Sequence, residues 1–218
     1  MLGKLRRFLF GLALRHGLYD ARYRDYALIL QRLLIRRGKA TICLDLGCGS
    51  GFFVELLSNL CNLSMGIDIN KYPVWRRRQK GSFVIADARR PPFRTSSIDV
   101  IVAISLLEHV PRWREVLAEV SRVLRPGGVF IIQLPDLRTL LEPHTHFPFI
   151  SLMPVSFRNY ITKLMFNEIF QWDCTLPRLL QEVRKHGLEI MGVYYYTYKK
   201  IPKLFAMSYF IVAMKLRG

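Results

Sequence analysis

The amino-acid sequence predicts an α/β fold with a parallel sheet that is buried on both faces. The first observation is a set of five short apolar runs, at 41–44, 63–67, 83–86, 98–104 and 129–132. The second is their alternation with helical patterns, in the order strand, helix, strand, helix, strand, strand, helix, strand. The third is that the runs are almost continuously apolar, as is typical of strands covered by helices on both sides.

The first predicted strand is joined to the first predicted helix by a glycine-rich turn, Gly47-Cys48-Gly49-Ser50-Gly51. Glycine has no Cβ atom to keep a ligand away from the backbone, and a helix N-terminus supplies unpaired N–H groups. The turn therefore predicts a nucleotide-like ligand. Its spacing differs from the Gly-x-Gly-x-x-Gly of pyrophosphate-binding turns, so a dinucleotide is not the first expectation. The alternative is a turn that only lets the helix pack closely on the strand.

Polar residues follow three of the later apolar runs. Asp68, Asp87 and Ser105 come after the second, third and fourth runs. Parallel sheets bind ligands outside the carboxyl ends of their strands, where these residues and the glycine turn would meet. Asp68 lies roughly twenty residues past the glycines, where an acid can accept hydrogen bonds from both hydroxyls of a ribose. The alternative for both aspartates is a helix N-cap, a common role of Asp just after a strand.

Together these motifs resemble the class I S-adenosylmethionine-dependent methyltransferases, in particular the small-molecule group that includes ubiquinone-pathway enzymes. The resemblance rests on residues 45–51, Asp68, 86–88, 105–110 and 122–128, and it covers about residues 40–135. It implies S-adenosyl-L-methionine as the cofactor and a Rossmann-like, doubly wound sheet of seven strands with the last strand antiparallel. The β-rich runs at 188–198 and 204–214 would form the closing antiparallel hairpin.

The resemblance also implies which residues bind the cofactor: Asp45, Gly47, Cys48, Gly49, Gly51, Asp68, Ile69, Asp87, Ala88, Ser105 and Leu106. The glycine turn would face the methionine portion of the cofactor, with Asp45 near its amino group. Ser105 and Leu106 would lie under the methionine end.

At the adenosine end, the resemblance implies that Asp68 holds the ribose hydroxyls and that Ile69 packs on the adenine. Asp87 would accept a hydrogen bond from the exocyclic amine of the adenine, and the Ala88 amide would donate one to a ring nitrogen. Three glycines and two acids, each at the matching strand end, rarely coincide by chance.

Three histidines are candidates for a catalytic base. His109 follows the fourth apolar run, and His144 and His146 lie in a later connection. Histidine titrates near neutral pH, so it can take the proton from a hydroxyl acceptor during methyl transfer. For His109 the alternative is a packing role beside a helix.

The sequence predicts no metal site. Glu108-His109 resembles the end of a Glu-x-x-Glu-His pattern that is associated with a divalent metal in ubiquinone-pathway O-methyltransferases. The first Glu of that pattern is Ser105 here, so one ligand is missing. The four cysteines show no metal-type pairing, and reduced cysteines in an intracellular protein are the simplest interpretation.

The chain is strongly basic, with a formal net charge of +17. Residues 1–39 are especially rich in Lys and Arg, and residues 1–16 alternate basic with apolar residues at helical spacing. A basic amphipathic helix is typical of a segment that lies on an anionic membrane surface. A solvated face is an equal alternative, and RNA binding is a third. The same alternatives apply to a second basic cluster at 76–78.

We therefore divide the chain into basic amphipathic N-terminal helices at 1–39 and a methyltransferase domain at 40–218. An insertion at about 135–175 is rich in aromatic residues and poor in Lys and Arg. This composition favours a helical lid over a hydrophobic small-molecule acceptor, since an RNA groove would interleave aromatic with basic residues. No apolar run approaches the roughly twenty residues of a membrane span.

Three functions stay open. The first is a methyltransferase that acts at a membrane surface on a lipophilic small molecule of the quinone, isoprenoid or lipid-linked type. The second is an RNA methyltransferase, although no Asn/Asp-Pro-Pro-Tyr-like segment follows the fourth apolar run. The third is a non-catalytic partner subunit, which the intact glycine turn disfavours. We expect a cytoplasmic protein with peripheral attachment to membranes, whose partner is a small molecule rather than a nucleic acid.

Overall fold

The computed structural model describes residues 18–35, 40–136, 150–166, 170–196 and 208–216. Its strands are β1 (Ala40–Leu46), β2 (Cys61–Asp68), β3 (Ser82–Ile85), β4 (Ile98–Ile104), β5 (Leu124–Pro135), β6 (Leu188–Tyr196) and β7 (Ser208–Lys215). Its helices are α1 (Leu18–Ile35), α2 (Phe52–Leu57), α3 (Trp113–Val123), α4 (Val155–Phe166) and α5 (Leu176–Lys185). Short 3₁₀ helices form at Pro73–Arg77, Leu107–His109 and Ile150–Leu152.

The seven strands form one sheet in the order β3-β2-β1-β4-β5-β7-β6. Strands β1 to β5 run parallel, and β7 lies antiparallel between β5 and β6. The predicted fold class and the antiparallel closing hairpin are confirmed. The chain reverses its direction of travel across the sheet between β1 and β4. Their carboxyl ends therefore form the crevice where ligands of such sheets bind.

Helices cover both faces of the sheet. Val102 and Ile104 of β4 point to the side of α1 and α2, whereas Ile101 and Ala103 point to the side of α3 and α5. This alternation follows from the two-residue period of a strand. Each side holds a separate apolar core, so the sheet is doubly wound as predicted.

Helix α1 places part of the N-terminal segment in the core of the sheet domain. Tyr26, Leu30 and Leu34 recur every four residues on one helix face and are buried against the sheet. The predicted amphipathic segment at 1–16 lies outside the described residues. None of the described helices combines the length and the apolar content needed to cross a membrane.

Two local predictions differ from the structure. The connection between β2 and β3 was predicted to be helical, but it forms only the five-residue 3₁₀ helix Pro73–Arg77. Between the third predicted helix and the fifth apolar run the sequence predicts a turn at 125–128, but this segment is an irregularity within β5. Ile98 pairs with Leu124 and Val100 with Val129, so the extra residues of β5 bulge out of the ladder.

The prediction of four reduced cysteines is wrong for one pair. Cys43 of β1 and Cys61 of β2 form a disulfide, with their Cα atoms 6.1 Å apart. This separation lies within the range that a disulfide can bridge. It results from the pairing of neighbouring strands, which cysteine spacing along the chain does not reveal. Cys48 and Cys174 are free and buried.

Candidate active site

A pocket of about 140 Å³ lies at the carboxyl ends of the parallel strands. Many of the predicted site residues line it: Gly47, Asp68, Ile69, Asp87, Ala88, Leu106 and His109. Ile67, Ala86, Arg89, Val110 and Pro111 complete the lining. The remaining predicted cofactor residues are not part of this lining: Asp45, Cys48, Gly49, Gly51 and Ser105. Residues that are far apart in sequence thus meet at one edge of the sheet.

The glycine turn adopts backbone conformations that favour glycine. Gly47, Gly49 and Gly51 have φ angles of 69°, 49° and 83°. A Cβ atom on Gly47 would lie 2.5 Å from Cδ1 of Leu106, whereas one on Gly49 would meet open space. Side chains at these positions would be strained, and at Gly47 one would also collide with a pocket residue.

The N–H groups of the turn are used differently from the sequence prediction. Gly47 and Cys48 both donate to the carbonyl oxygen of Ile67, at 2.9 and 3.0 Å. Gly49 donates to Oδ2 of Asp68 at 2.9 Å, and Gly51 donates to the carbonyl of Cys48. These four amides are therefore bonded within the protein. The turn offers a ligand close approach to its backbone, while these donors hold the turn in shape.

The β2–β3 connection clamps the glycine turn, a role that the sequence did not reveal. Trp75 donates from Nε1 to the carbonyl oxygen of Gly49 at 2.7 Å. Its ring stacks on Phe83, with ring centroids 5.0 Å apart and planes 13° apart. A Cβ atom on Gly51 would lie 2.5 Å from Cε1 of Phe83, so this glycine is needed for the stack to approach the turn.

One member of the basic cluster at 76–78 belongs to this clamp. Arg78 forms an ion pair with Glu55 of α2 and donates from Nε to the carbonyl oxygen of Ser50 at 3.1 Å. Its charge is therefore engaged in holding the turn. The prediction of a basic surface at 76–78 still applies to Arg76 and Arg77.

Asp68 sits between the turn and the pocket. Its Oδ2 atom accepts the hydrogen bond from Gly49, and its Oδ1 atom accepts one from the Asn70 amide at 2.9 Å. Ile69, next to it, is 65% exposed and lines the pocket with an apolar surface. No helix begins at Asp68 or at Asp87 within the described residues 40–136, so the N-cap alternative is wrong for both.

Asp87 forms an ion pair inside the pocket that the sequence did not predict. The Arg89 guanidinium donates from Nε to Oδ1 at 3.0 Å and from Nη2 to Oδ2 at 2.5 Å. Hydrogen bonding from Arg89 lowers the pKa of Asp87 below its ordinary value, so its carboxylate stays ionised. Arg89 therefore fixes the orientation of Asp87 at the pocket wall. In the sequence, this ion pair was indicated only by a basic residue two positions after Asp87.

Asp45 is a buried carboxylate beneath the turn. It is 1% exposed, and within the described residues its Oδ2 atom has no hydrogen-bond partner. Burial, followed by the negative charge of Asp68, raises the pKa of Asp45 well above its ordinary value. A buried carboxylate of this kind is costly unless a cationic group compensates it. Its chemistry fits the ammonium group of an amino-acid ligand.

Cys48 is a neutral thiol in this environment. Burial raises its pKa, and the charges of Asp45 and Asp68 raise it further. A thiol whose pKa is raised in this way is a poor nucleophile. Cys48 therefore contributes shape and apolar surface to the turn.

Ser105 belongs to a buried hydrogen-bond network that extends away from the pocket. Its φ angle is 49°, and its amide and Oγ contact Oε1 of Gln133 at 2.8 and 2.7 Å. Gln133 donates from Nε2 to the hydroxyl of Tyr26, which is 3.0 Å from Oγ of Ser208. The sequence did not single out these partners, although Gln133 interrupts an apolar run.

His109 lines the pocket and contacts the end of the insertion. Its ring lies edge-on to Phe170, with centroids 4.9 Å apart. Its Nε2 atom is 3.8 Å from Oε1 of the buried Glu108. The amide of Gln171 donates to the Glu108 carbonyl at 2.7 Å, which ties the insertion to this site. His144 and His146 lie outside the described residues.

A second cavity of about 600 Å³ lies beyond Phe170, between α4 and the segment that leads into α5. Trp172 lines it and donates from Nε1 to Oδ1 of Asn159 at 2.7 Å. The guanidinium of Arg158 lies 5.2 Å from the centroid of the Trp172 ring. Phe170 lines this cavity and contacts His109 of the first pocket. The rings of Phe170 and His109 therefore lie between the second cavity and the first pocket.

Known methyltransferases resemble this chain in sequence. Residues 44–132 match the family of proteins with a methyltransferase domain. The chain is 30% identical over 127 residues to a "Probable S-adenosylmethionine-dependent methyltransferase" of Mycolicibacterium smegmatis, covering 55% of this chain and 48% of that protein. It is 36% identical over 93 residues to a ubiquinone biosynthesis O-methyltransferase of Nitrosococcus oceani, covering 39% of each. The chain thus spans less than half the length of these curated relatives.

Solved structures share the fold. A protein from Pyrococcus horikoshii matches with a TM-score of 0.66 and 23% identity, over 88% of this chain and 91% of that one. An S-adenosylmethionine-dependent methyltransferase from Mesorhizobium loti matches with a TM-score of 0.63 and 18% identity, over 81% and 91%. The sequence comparisons show that residues 44–132 are similar to a methyltransferase domain and to proteins named as S-adenosylmethionine-dependent methyltransferases, and the solved structures show that the chain shares their fold.

Proposed function

We propose that the protein transfers a methyl group from S-adenosyl-L-methionine to a lipophilic small molecule at a membrane surface. The observation that carries the acceptor class is the aromatic insertion, which reaches the cofactor pocket through the contact between Phe170 and His109. Relatives that are named for lipophilic substrates support it. They include a sterol 4-C-methyltransferase of Caenorhabditis elegans, 32% identical over 99 residues, which cover 41% of this chain and 30% of that protein.

Three acids would hold the cofactor. Asp45 would compensate the ammonium group of the methionine portion, because its buried Oδ2 atom needs a cationic partner. Asp68 would accept hydrogen bonds from the ribose hydroxyls, and Asp87, oriented by Arg89, would accept one from the adenine amine. Ile69 and Leu106 would contribute apolar contacts. The assignments of Asp68, Asp87, Ile69 and Leu106 follow their positions around one pocket, whereas that of Asp45 follows its burial beneath the glycine turn.

The bound cofactor supplies an electrophilic methyl group on a sulfonium. The acceptor must approach that carbon in line with the breaking bond, so the protein has to orient the acceptor and exclude water. For a hydroxyl acceptor, His109 would take the proton, since it is the histidine that lines the pocket among the described residues. Phe170 would hold the acceptor against this histidine.

Labelled methyl transfer tests the acceptor class. The full-length protein should methylate a component of a membrane lipid extract and leave purified RNA unlabelled. An Asp68→Ala variant should label the lipid fraction much more slowly than the parent protein and should leave RNA unlabelled. Labelling of RNA alone would replace the proposal with an RNA methyltransferase, and the absence of labelling in every metabolite fraction would favour a non-catalytic subunit.

Methyl transfer is expected to be independent of metal ions. Ser105 occupies the position of the missing acidic ligand, and its Oγ atom is hydrogen-bonded to Gln133. Dialysis against a chelator should leave the initial rate unchanged, and added Mg²⁺ or Zn²⁺ should not raise it. A rate that falls with the chelator and returns with a divalent ion would show that Glu108 and His109 act with a metal after all.

The basic N-terminus is expected to bind anionic membranes. If residues 1–16 lie on a bilayer, Phe8, Leu9 and Leu12 insert while the basic residues meet the headgroups. Each such charge contributes about 1 kcal/mol near the surface, and salt screens it. Full-length protein should therefore co-sediment with anionic liposomes at low salt, and a chain that lacks residues 1–16 should bind much less.

The matched control separates membrane insertion from simple charge. The double variant Phe8→Ser with Leu12→Ser keeps every charge of this segment and removes most of its apolar face. We expect it to lose most of the co-sedimentation. Sedimentation equal to that of the parent chain would mean that charge alone drives binding, which would favour the RNA alternative.

A further inference from the structure

Helix α4 presents its apolar face to solvent. Phe157, Tyr160 and Leu164 lie three and four residues apart, so they share one side of the helix, and their exposed fractions are 44%, 62% and 46%. Leu152 and Val155, at the start of the same segment, are 72% and 51% exposed. Phe157, Tyr160 and Leu164 form an apolar stripe that we call the α4 patch. A contiguous exposed patch of this kind marks an interaction surface.

The opposite side of α4 is polar and faces the protein. Thr162 is fully buried, and its hydroxyl donates to the carbonyl oxygen of Asn159 at 3.3 Å. Asn159 also accepts the indole hydrogen bond of Trp172. Arg158 donates from Nε to the carbonyl oxygen of Met153 at 2.6 Å, and burial lowers its pKa.

These contacts determine how the helix is turned about its axis. Rotating α4 to bury Phe157 and Leu164 would expose Thr162 and break the hydrogen bond between Trp172 and Asn159. The outward position of the α4 patch is therefore the preferred orientation of the helix in the fold. By contrast, α5 follows the usual pattern, with Leu179 and Val183 buried against the sheet.

We propose that the α4 patch docks on an anionic membrane surface. Charge complementarity favours this occupant, because α4 exposes Lys163 and carries no acidic residue, and the whole chain carries a net charge of +17. Lys163 is exposed beside the apolar stripe, where its ammonium group can reach lipid phosphates. Aromatic residues such as Tyr160, with an apolar ring and a polar tip, suit the headgroup region.

The docking would place α4 between the bilayer and the second cavity. Val155, in the first turn of α4, lines that cavity together with Phe170, and the Phe170 ring contacts His109 of the first pocket. A lipophilic acceptor could then pass from the membrane toward the cofactor pocket. The inference extends the proposed function, but its test measures lipid binding without methyl transfer. Either one can therefore fail while the other holds.

Co-sedimentation with vesicles tests the α4 patch. Full-length protein carrying Phe157→Ser with Leu164→Ser should bind phosphatidylcholine vesicles that contain phosphatidylglycerol roughly tenfold more weakly than the parent chain. The matched control is Met191→Ser with Tyr194→Ser, which removes two apolar side chains of similar exposure, 46% and 48%, from β6. The control should bind like the parent. Equal binding by all three proteins would overturn the proposal.

A fluorescence measurement keeps the test independent of folding defects in the double variant. An environment-sensitive dye attached to Tyr160→Cys should shift to shorter wavelength and gain intensity when the anionic vesicles are added. The same dye on Lys185→Cys, an exposed position at the C-terminal end of α5, should not respond. A silent dye at position 160 would overturn the proposal. So would a response to protein concentration without lipid, which would indicate that a second copy of the chain covers the patch.

Discussion

Asp45→Asn is expected to raise the stability of the ligand-free protein and to weaken cofactor binding. Asp45 is buried, and its Oδ2 atom has no hydrogen-bond partner within the described residues, so its ionised form is costly until a cationic ligand arrives. Removing the charge should raise the free energy of unfolding by about 1 kcal/mol, or roughly 2–4 °C in Tm for a chain of this length. The affinity for the cofactor should fall roughly ten- to hundredfold.

The raised pKa of Asp45 determines how the stability difference between the parent protein and Asp45→Asn changes with pH. The pKa of Asp45 is raised in the folded state, so its contribution to stability is fully present below the ordinary pKa of Asp, near 3.9. That contribution is lost as the pH rises through the folded-state pKa. The advantage of Asp45→Asn in thermal melts should therefore grow with pH across this window. Over the same window, the affinity of the parent protein for the cofactor should increase.

Thermal melts and calorimetry on the parent and the Asn variant check both parts. Lys185→Ala is a suitable control for cofactor affinity, because Lys185 is exposed at the C-terminal end of α5, where it pairs with Glu182, and its removal should leave that affinity unchanged. An Asn variant that is less stable and binds the cofactor normally would show that Asp45 has a partner in the ligand-free protein. In that case the assignment of its carboxylate to the cofactor would be wrong.

Asp68→Ala is expected to weaken cofactor binding by about 1.5–3 kcal/mol, the range of hydrogen bonds to charged groups. The substitution removes the predicted ribose acceptor. It also removes the bonds that Asp68 accepts from the Gly49 and Asn70 amides, so the glycine turn loses part of its support. Calorimetry of S-adenosyl-L-methionine binding measures the loss, and circular dichroism shows whether the variant is folded.

Asp68→Asn separates the two roles of this side chain. Its amide oxygen can still accept the hydrogen bond from Gly49, but its NH₂ group cannot accept from a ribose hydroxyl or from the Asn70 amide. We expect the Asn variant to melt close to the melting temperature of the parent protein. Its affinity for the cofactor should nevertheless be reduced, as in the Ala variant. Unchanged affinity in a folded Asp68→Ala protein would rule out the ribose assignment.

The sequence by itself determined the sheet and the residues that meet at its edge. Apolar strands at fixed positions must be buried, and parallel strands bring the residues after them to one side, so Gly47, Asp68 and Asp87 could be placed together before any coordinates. Glycines in a strand–turn–helix context predicted a nucleotide-like ligand. These patterns involve residues that lie close together in the sequence, so they can be recognised without a structure.

Only the tertiary structure decided which partners these residues have. Arg89 on Asp87, Trp75 on the glycine turn and Gln133 on Ser105 depend on how loops fold back across the sheet, which no periodicity records. The disulfide between Cys43 and Cys61 depends on strand pairing in the same way. The outward face of α4 also required the structure. Its sequence shows an apolar stripe, but the hydrogen bonds of the opposite side determine which way the helix turns.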